Sequence, residues 1–259
     1  MTNRESVGRT LFVAAAVAFV CSLIVSVTVY WLRPMQLALR SVEQSRAVLV
    51  AAGLAEPGET IEDQEVVRRF LELQTSLVDL DAGEFIAADA NMIAAYDYRA
   101  AAEDPDARRD IEASLDIAKL GTRPLLMPVW LFENDGVLER IVLPVYGRGM
   151  WSTIYGYVAL EGDLTTIAAA WFFEHGETPG IGDRIEAPDW LNSWTGKRGF
   201  AADGALALRI GGGGDTAAES RVDAITGATV TVAGVDNLVR YWLGDDGFGP
   251  LLTRLRAGS

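Results

Sequence analysis

Cysteine and histidine are almost absent: the chain of 259 residues holds one of each, Cys21 and His175. A single cysteine excludes an internal disulfide, and it excludes an iron–sulfur cluster or zinc site held by the chain's own thiolates. A single histidine excludes a multi-histidine metal or haem site. Positive charge is scarce as well. Against 36 acidic residues stand 22 lysines and arginines, a formal net charge of −14. Nucleic acid is not expected as a partner, because binding phosphates needs a basic face. Ordinary catalytic signatures are missing: there is no GxSxG, HExxH, CxxC or Walker A motif. GRGMWS (147–152) has no third glycine of a dinucleotide fingerprint, and GGGG (211–214) precedes no apolar helix, so it reads as a loop. We therefore expect no catalytic residue and no metal site within this chain.

What is present begins with an uncharged apolar run, LFVAAAVAFVCSLIVSVTVYWL, over residues 11–32. As a helix of 22 residues it rises about 33 Å, enough to cross a bilayer core of about 30 Å. Arg4 and Arg9 flank it on one side and Arg33 on the other, and Tyr30 and Trp31 sit where an aromatic belt belongs. We read an uncleaved membrane anchor rather than a signal peptide: the run exceeds a signal h-region and no clean A-x-A site follows. Cys21 lies inside it as a small hydrophobe. The flanking charges are nearly balanced and do not fix the orientation.

Beyond it, Pro34 is expected to break the chain. A helix is expected over 35–54, with Gly53 as its C-cap, and a second one after Thr60 as N-cap, with Asp63 three residues on. A short helix is expected over 106–120, in a region otherwise loop. From residue 125 the pattern changes to strand, Asn-Asp-Gly turn and strand (125–147), then two more strands in IYGYVALEG and LTTIAAAWFFEH. A short helix should follow Pro188, ALALRI and RVDAI should be strands, and Val232, Val235, Leu238, Val239 and Trp242 have helical spacing up to Gly244. A last short helix is expected in GPLLTRLRAG. The fold class is α+β: one single-pass helix, then a mainly antiparallel twisted sheet flanked by helices.

The most informative stretch is DAITGATVT, 223–231, lying between an expected strand and an expected helix. Gly227 permits positive φ or a close backbone approach. Thr226, Thr229 and Thr231 can each cap the helix, and the same helix N-terminus can hold a phosphate. On the residues alone, capping ranks first and a bound phosphate second.

DAITGATVT also resembles the covalent flavin attachment motif, Asp-x-x-Ser/Thr-Gly-Ala-Thr-x-Ser/Thr. Together with the anchor, DIAKL, RIVLPVYGRGMWSTIYGYVAL, FFEHGETPGIGDRIE, a Trp then GK, and GVDNLVRYWLGDDGFGPLL, in that order, the chain resembles the C subunit of sodium-translocating NADH:quinone oxidoreductases over nearly its whole length. The G subunit of Rnf-type complexes shares the motif but is usually shorter, and ranks second. A flavin-free, membrane-anchored binding or sensor domain is the rival from another class. The resemblance implies a cytoplasmic tail (1–10), a transmembrane helix (11–32), a helical and loop periplasmic region (33–124) and an FMN-binding domain (125–259). It implies FMN joined through its phosphate to Thr229 by a flavin transferase that uses FAD. Single electrons would pass from a membrane iron–sulfur subunit to the second covalent-FMN subunit of a six-subunit inner-membrane complex, with ubiquinone as acceptor and Na+ translocated. Asp223, Thr226, Gly227, Ala228 and Thr231 would complete the attachment turn, Asp223 either as part of the transferase's signal or as a turn-ordering acid.

Gly149, Met150 and Trp151 would lie beside the ring; packing at a strand end is the alternative. Glu177, Thr178 and Ile181 would approach it from HGETPGIG (175–182), otherwise a surface turn. Lys197 would neutralise flavin or phosphate charge, or simply be solvated. His175 is expected to satisfy a strand-end hydrogen bond, not to donate a proton. Thr226 stands where serine is commoner, and Met150 where leucine is usual; both changes are conservative.

Overall fold

The computed structural model describes residues 7–56, 59, 61–212 and 216–258. The chain divides into two compact units, Met1–Glu43 and Gln44–Ser259. Helix α1 runs Val7–Ala52 without interruption, so the break expected at Pro34 does not occur. Proline removes one i→i−4 bond, and the turns on either side keep theirs. Within α1, Gly8–Leu32 is long and apolar enough to cross a membrane, and its residues are exposed. The helix stops as Gly53 predicts. Gly53 takes φ +74°, its N–H reaches the Val50 carbonyl at 3.0 Å, and the Leu54 N–H reaches the Leu49 carbonyl at 2.9 Å. That is a Schellman closure, and the Arg140 guanidinium donates to the Ala52 carbonyl at 2.8 Å.

Thr60 lies outside the described residues. Helix α2 spans Asp63–Phe70, with Glu62 as an N-cap that makes no side-chain cap bond. Next come β1 (Gln74–Asp79), β2 (Glu84–Phe85), α3 (Ala90–Ala95) and α4 (Tyr98–Ala101), then β3 (Arg108–Asp110) and β4 (Thr122–Pro124). The helix expected over 106–120 is absent. Instead β3 and β4 pair antiparallel, and the Asp116 carboxylate accepts from the Leu120 and Gly121 amides at 2.8 Å. Such a side chain offers the backbone a turn in place of a helix rung.

The main sheet adds β5 (Leu126–Asn134), β6 (Val137–Arg148), β7 (Thr153–Glu161) and β8 (Ile167–Glu174). Its order is β2-β1-β5-β6-β7-β8, antiparallel at every step. The β5–β6 hairpin turns on Asp135 and Gly136, both at positive φ (50° and 76°), as an Asp-Gly turn requires. β1 pairs with β5 from Gln74↔Leu131 to Asp79↔Leu126. The border expected between 124 and 125 therefore cuts through one sheet rather than between two compact units.

After β8 come α5 (Pro188–Asn192), with its proline in the first turn, then β9 (Arg209–Ile210) and β10 (Arg221–Val222). β9 and β10 are two residues each and pair parallel to one another, outside the main sheet. The longer strands expected in ALALRI and RVDAI are not formed. Helices α6 (Thr229–Leu243) and α7 (Gly249–Ala257) close the chain. α6 packs on β6. Val232, Val235, Leu238, Val239 and Trp242 are all buried, as their spacing requires. The α+β class and the antiparallel sheet with flanking helices are as expected.

Candidate functional site

Three chain segments meet where α6 begins: the β6–β7 turn (149–152), the loop after β8 (175–182) and the turn 223–228. Each is placed by the element next to it. β6 and β7 stay in register up to Arg148↔Thr153, and the Gly149 N–H closes the turn on the Ser152 carbonyl at 2.8 Å. The loop 175–182 leaves β8 and is tied to that turn at its start, where the Gly176 N–H donates to Ser152 Oγ at 2.6 Å. The turn 223–228 leaves β10 and enters α6 through Gly227 at φ +85°, a conformation that favours glycine.

The expected threonine caps are not made. Ala228 is the N-cap of α6 and supplies no side-chain acceptor. The ladder starts with the Val232 N–H on the Ala228 carbonyl, so the Thr229, Val230 and Thr231 amides precede it. An N-terminus without a side-chain cap suits an anion, whose charge the helix dipole also favours. The three threonines differ in their surroundings. Thr226 and Thr229 are exposed, and neither hydroxyl makes a hydrogen bond among the described residues. Thr231 is buried and donates to Glu177 Oε2 at 2.5 Å.

Glu177 is 5% exposed. Besides Thr231 it accepts from the Met150 N–H (3.2 Å) and the Trp151 N–H (3.0 Å). Burial alone raises its pKa, but the bonds from Thr231, Trp151 and Met150 outweigh that and hold the carboxyl below its ordinary range. A depressed pKa contributes stability that is full above the unfolded value, about 4.3, and is lost as pH falls through the folded one. Glu177→Gln should therefore melt closer to the wild type at pH 3.5 than at pH 7. Melting curves at the two pH values check this, and an equal gap at both would remove Glu177 from the acid transition.

His175 is the first residue of this loop. Its Nδ1 accepts from the Glu177 N–H at 3.2 Å, and its Nε2 lies 2.9 Å from Glu186 Oε1. The Glu186 carboxylate raises the imidazole's pKa. This is the hydrogen-bonding role the sequence indicates.

The segments that meet at the start of α6 expose four apolar side chains. Met150, Trp151, Ile181 and Val230 are about half exposed, between 46% and 60%. The Trp151 indole N–H donates to Thr178 Oγ1 at 2.9 Å, which fixes the plane of its ring. A methyl placed on Gly227 would lie 3.9 Å from Ile181 Cγ2, so the two loops come within one methyl of each other. A flat heteroaromatic ring with a phosphate tail fits this surface: an apolar, partly aromatic wall for the ring, and uncapped helix amides for the phosphate. FMN is such a group, and it would supply one-electron redox chemistry that no side chain here provides.

Of the expected site residues, Gly149, Met150, Trp151, Glu177, Thr178, Ile181, Gly227 and Thr231 are joined by these contacts, and Thr226, Ala228 and Thr229 lie on the same turn. Two stand apart. The Lys197 ammonium donates to the Ala218 carbonyl at 2.9 Å. The Asp223 carboxylate is exposed and faces Arg221 at 3.8 Å, without bonding the turn's amides. Sequence reasoning missed Ser152 and Trp190. Trp190 donates through Nε1 to the Asp223 carbonyl at 2.8 Å and stacks edge-on against Trp194, anchoring the start of the turn. That contact spans 33 residues, and no local pattern announces it.

The FMN-binding domain family matches residues 149–244, which contain all three segments. The C subunit of Na(+)-translocating NADH-quinone reductase from Pseudomonas aeruginosa is 42% identical over 264 aligned residues, covering 100% of both chains. The protein of the same name from Pasteurella multocida is 35% identical, covering 99% of this chain and 97% of its own. The crystal structure of Shewanella oneidensis NqrC superposes with a TM-score of 0.72 at 38% identity, covering 83% of this chain and 97% of that one. End-to-end similarity thus leads to one assignment: the chain belongs to the NqrC family, the C subunits of Na(+)-translocating NADH-quinone reductases.

Proposed function

We propose that Thr229 carries FMN through a phosphoester bond, and that the domain built around it relays single electrons between other subunits of the complex. Family membership makes the chain a membrane-anchored, FMN-binding subunit of an oxidoreductase complex, with the other subunits as its partners. It sets aside the Rnf G subunit and the flavin-free sensor. The link, its residue and the electron route are the proposal.

One observation carries it: the Thr229 hydroxyl is exposed and makes no hydrogen bond among the described residues, at the first position of an uncapped helix bordered by Met150, Trp151, Ile181 and Val230. Thr229 follows the N-cap Ala228, so its hydroxyl is not engaged as a cap and stays open to a ligand. The amides of α6 offset the charge that the diester phosphate retains. Met150, Trp151, Ile181 and Val230 keep water from one face of the ring. Among the described residues no side chain accepts a proton from Thr229 Oγ1, so the base or metal that activates it belongs to a flavin transferase acting on FAD. There the Thr229 oxygen attacks the FMN phosphorus, the pyrophosphate bond breaks and AMP leaves with the electron pair; the hydroxyl proton passes to the transferase.

Further parts of the proposal follow the family resemblance: a periplasmic site for the domain, an iron–sulfur membrane subunit as donor, the second covalent-FMN subunit as acceptor, ubiquinone as terminal oxidant and Na+ as the translocated ion. The divisions at 10 and 32 stand as a proposal too, whereas the one at 124 falls inside the sheet that joins β1 to β5. Asp223, exposed and unbonded to its own turn, suits a residue read by the transferase. Intact mass of the chain from native membranes tests the link. Wild type should be heavier by one FMN less one water, and Thr229→Ala should show the bare chain. Equal masses would end the covalent reading.

A further inference from the structure

We infer that Glu177 and Thr231 form a clamp that locks the β6–β7 turn to the first turn of α6, so that the Thr229 hydroxyl and the Trp151 ring are held in one geometry before any flavin is attached. The inference rests on Thr229 being the attachment residue. It assigns Glu177 and Thr231 a positioning role instead of contact with the ring.

Three donors from two distant segments converge on one buried carboxylate. Oε2 takes the Thr231 hydroxyl at 2.5 Å and the Met150 N–H at 3.2 Å, and Oε1 takes the Trp151 N–H at 3.0 Å. Only an ionised carboxylate accepts at both ends; an amide would turn an NH2 towards one of these donors. Two glycines leave room for the group. A methyl on Gly149 would stand 2.6 Å from Glu177 Oε1, and one on Gly182 would stand 2.9 Å from Glu177 Cβ and 3.0 Å from Thr231 Oγ1. The charge also lies near the N-terminus of α6, where the N-cap Ala228 offers no side-chain acceptor and the helix dipole favours an anion.

Thr231 is two residues from Thr229 on the same helical turn, and Trp151 is one residue from Met150. A shift in the Glu177–Thr231 contact therefore moves the attachment hydroxyl relative to the indole. In this way the last hydroxyl of DAITGATVT serves a loop 54 residues earlier in the chain rather than the helix end or the flavin.

The test uses full-length chain in detergent, produced with and without the transferase, as wild type, Thr231→Val, Thr231→Ser and Glu177→Gln. Hydrogen exchange of the flavin-free chain is read over 149–152, with β7 as the internal reference, and the flavin-loaded fraction is read by intact mass after a fixed exposure to transferase. Exchange over 149–152 should rise roughly tenfold in Thr231→Val and Glu177→Gln, as expected for losing one charge-assisted hydrogen bond. Loading should fall several-fold in both, and Thr231→Ser should match wild type. Unchanged exchange in the two variants overturns the clamp. So does a Thr231→Ser as deficient as Thr231→Val, or a rise shared equally by β7, which would make the pair a general support of the fold. If wild type itself carries no flavin mass, the attachment reading fails instead, and the exchange data still judge the clamp.

Discussion

Replacing Trp242 with alanine should lower the unfolding free energy by about 4 kcal/mol, in the range for truncating a fully buried aromatic. Trp242 is 0% exposed at the centre of the α6–β6 contact. Its ring lies 4.8 Å from that of Tyr146 and 5.8 Å from that of Phe248, and its indole N–H donates to the Tyr146 carbonyl at 2.6 Å. Alanine therefore leaves a cavity that the sheet cannot collapse to fill, and an unpaired carbonyl inside it. Trp242→Phe restores most of the volume but not the donor, so it should recover more than half of the loss. Chemical unfolding of the full chain in detergent measures both. A Trp242→Ala loss below about 1.5 kcal/mol would mean that α6 is not held by this contact.

The second large effect is expected at Gly234. A methyl there would stand 2.7 Å from the Arg148 carbonyl oxygen and 3.1 Å from Gly149 Cα. Both neighbours are backbone at the end of β6, so neither can swing aside. Glycine inside a helix costs about 1 kcal/mol against alanine, so this position trades helix propensity for close approach. Gly234→Val should destabilise by about 3 kcal/mol, at the upper end for overpacking. The strain falls on Arg148 and Gly149, directly before Met150 and Trp151. The flavin-loaded fraction should therefore fall even in the chain that stays folded. Melting temperature and intact mass, read on the same preparation, separate the two consequences. A variant that melts and loads like wild type would show that α6 and β6 are free to move apart.

Much of this was legible because its signals are local. The apolar run of 11–32, the Asp-Gly turn between β5 and β6, the Gly53 stop and the helical spacing from Val232 to Trp242 each follow from a few neighbouring residues, and each appears in the structure. The misreadings have non-local causes. Gln74–Asp79 carries only two buried apolar residues, and it is a strand because β5, some 50 residues on, presents a partner edge. Residues 106–120 contain helix formers, but Asp116 and the β3–β4 pairing take their backbone bonds.

The same division runs through the site. The sequence by itself determined that a Thr-rich Gly-Ala turn precedes a helix and that it matches a flavin attachment motif. Those are statements about residue types at fixed spacing. Only the tertiary structure decided what each hydroxyl does. Thr226, Thr229 and Thr231 are equivalent candidates as caps in the sequence, because capping is a local property. They cease to be so once a carboxylate from the loop after β8 binds Thr231 and leaves Thr229 open. That difference depends on β6, β8 and α6 meeting at one point, and burial of a charged group among three donors has no signature along the chain.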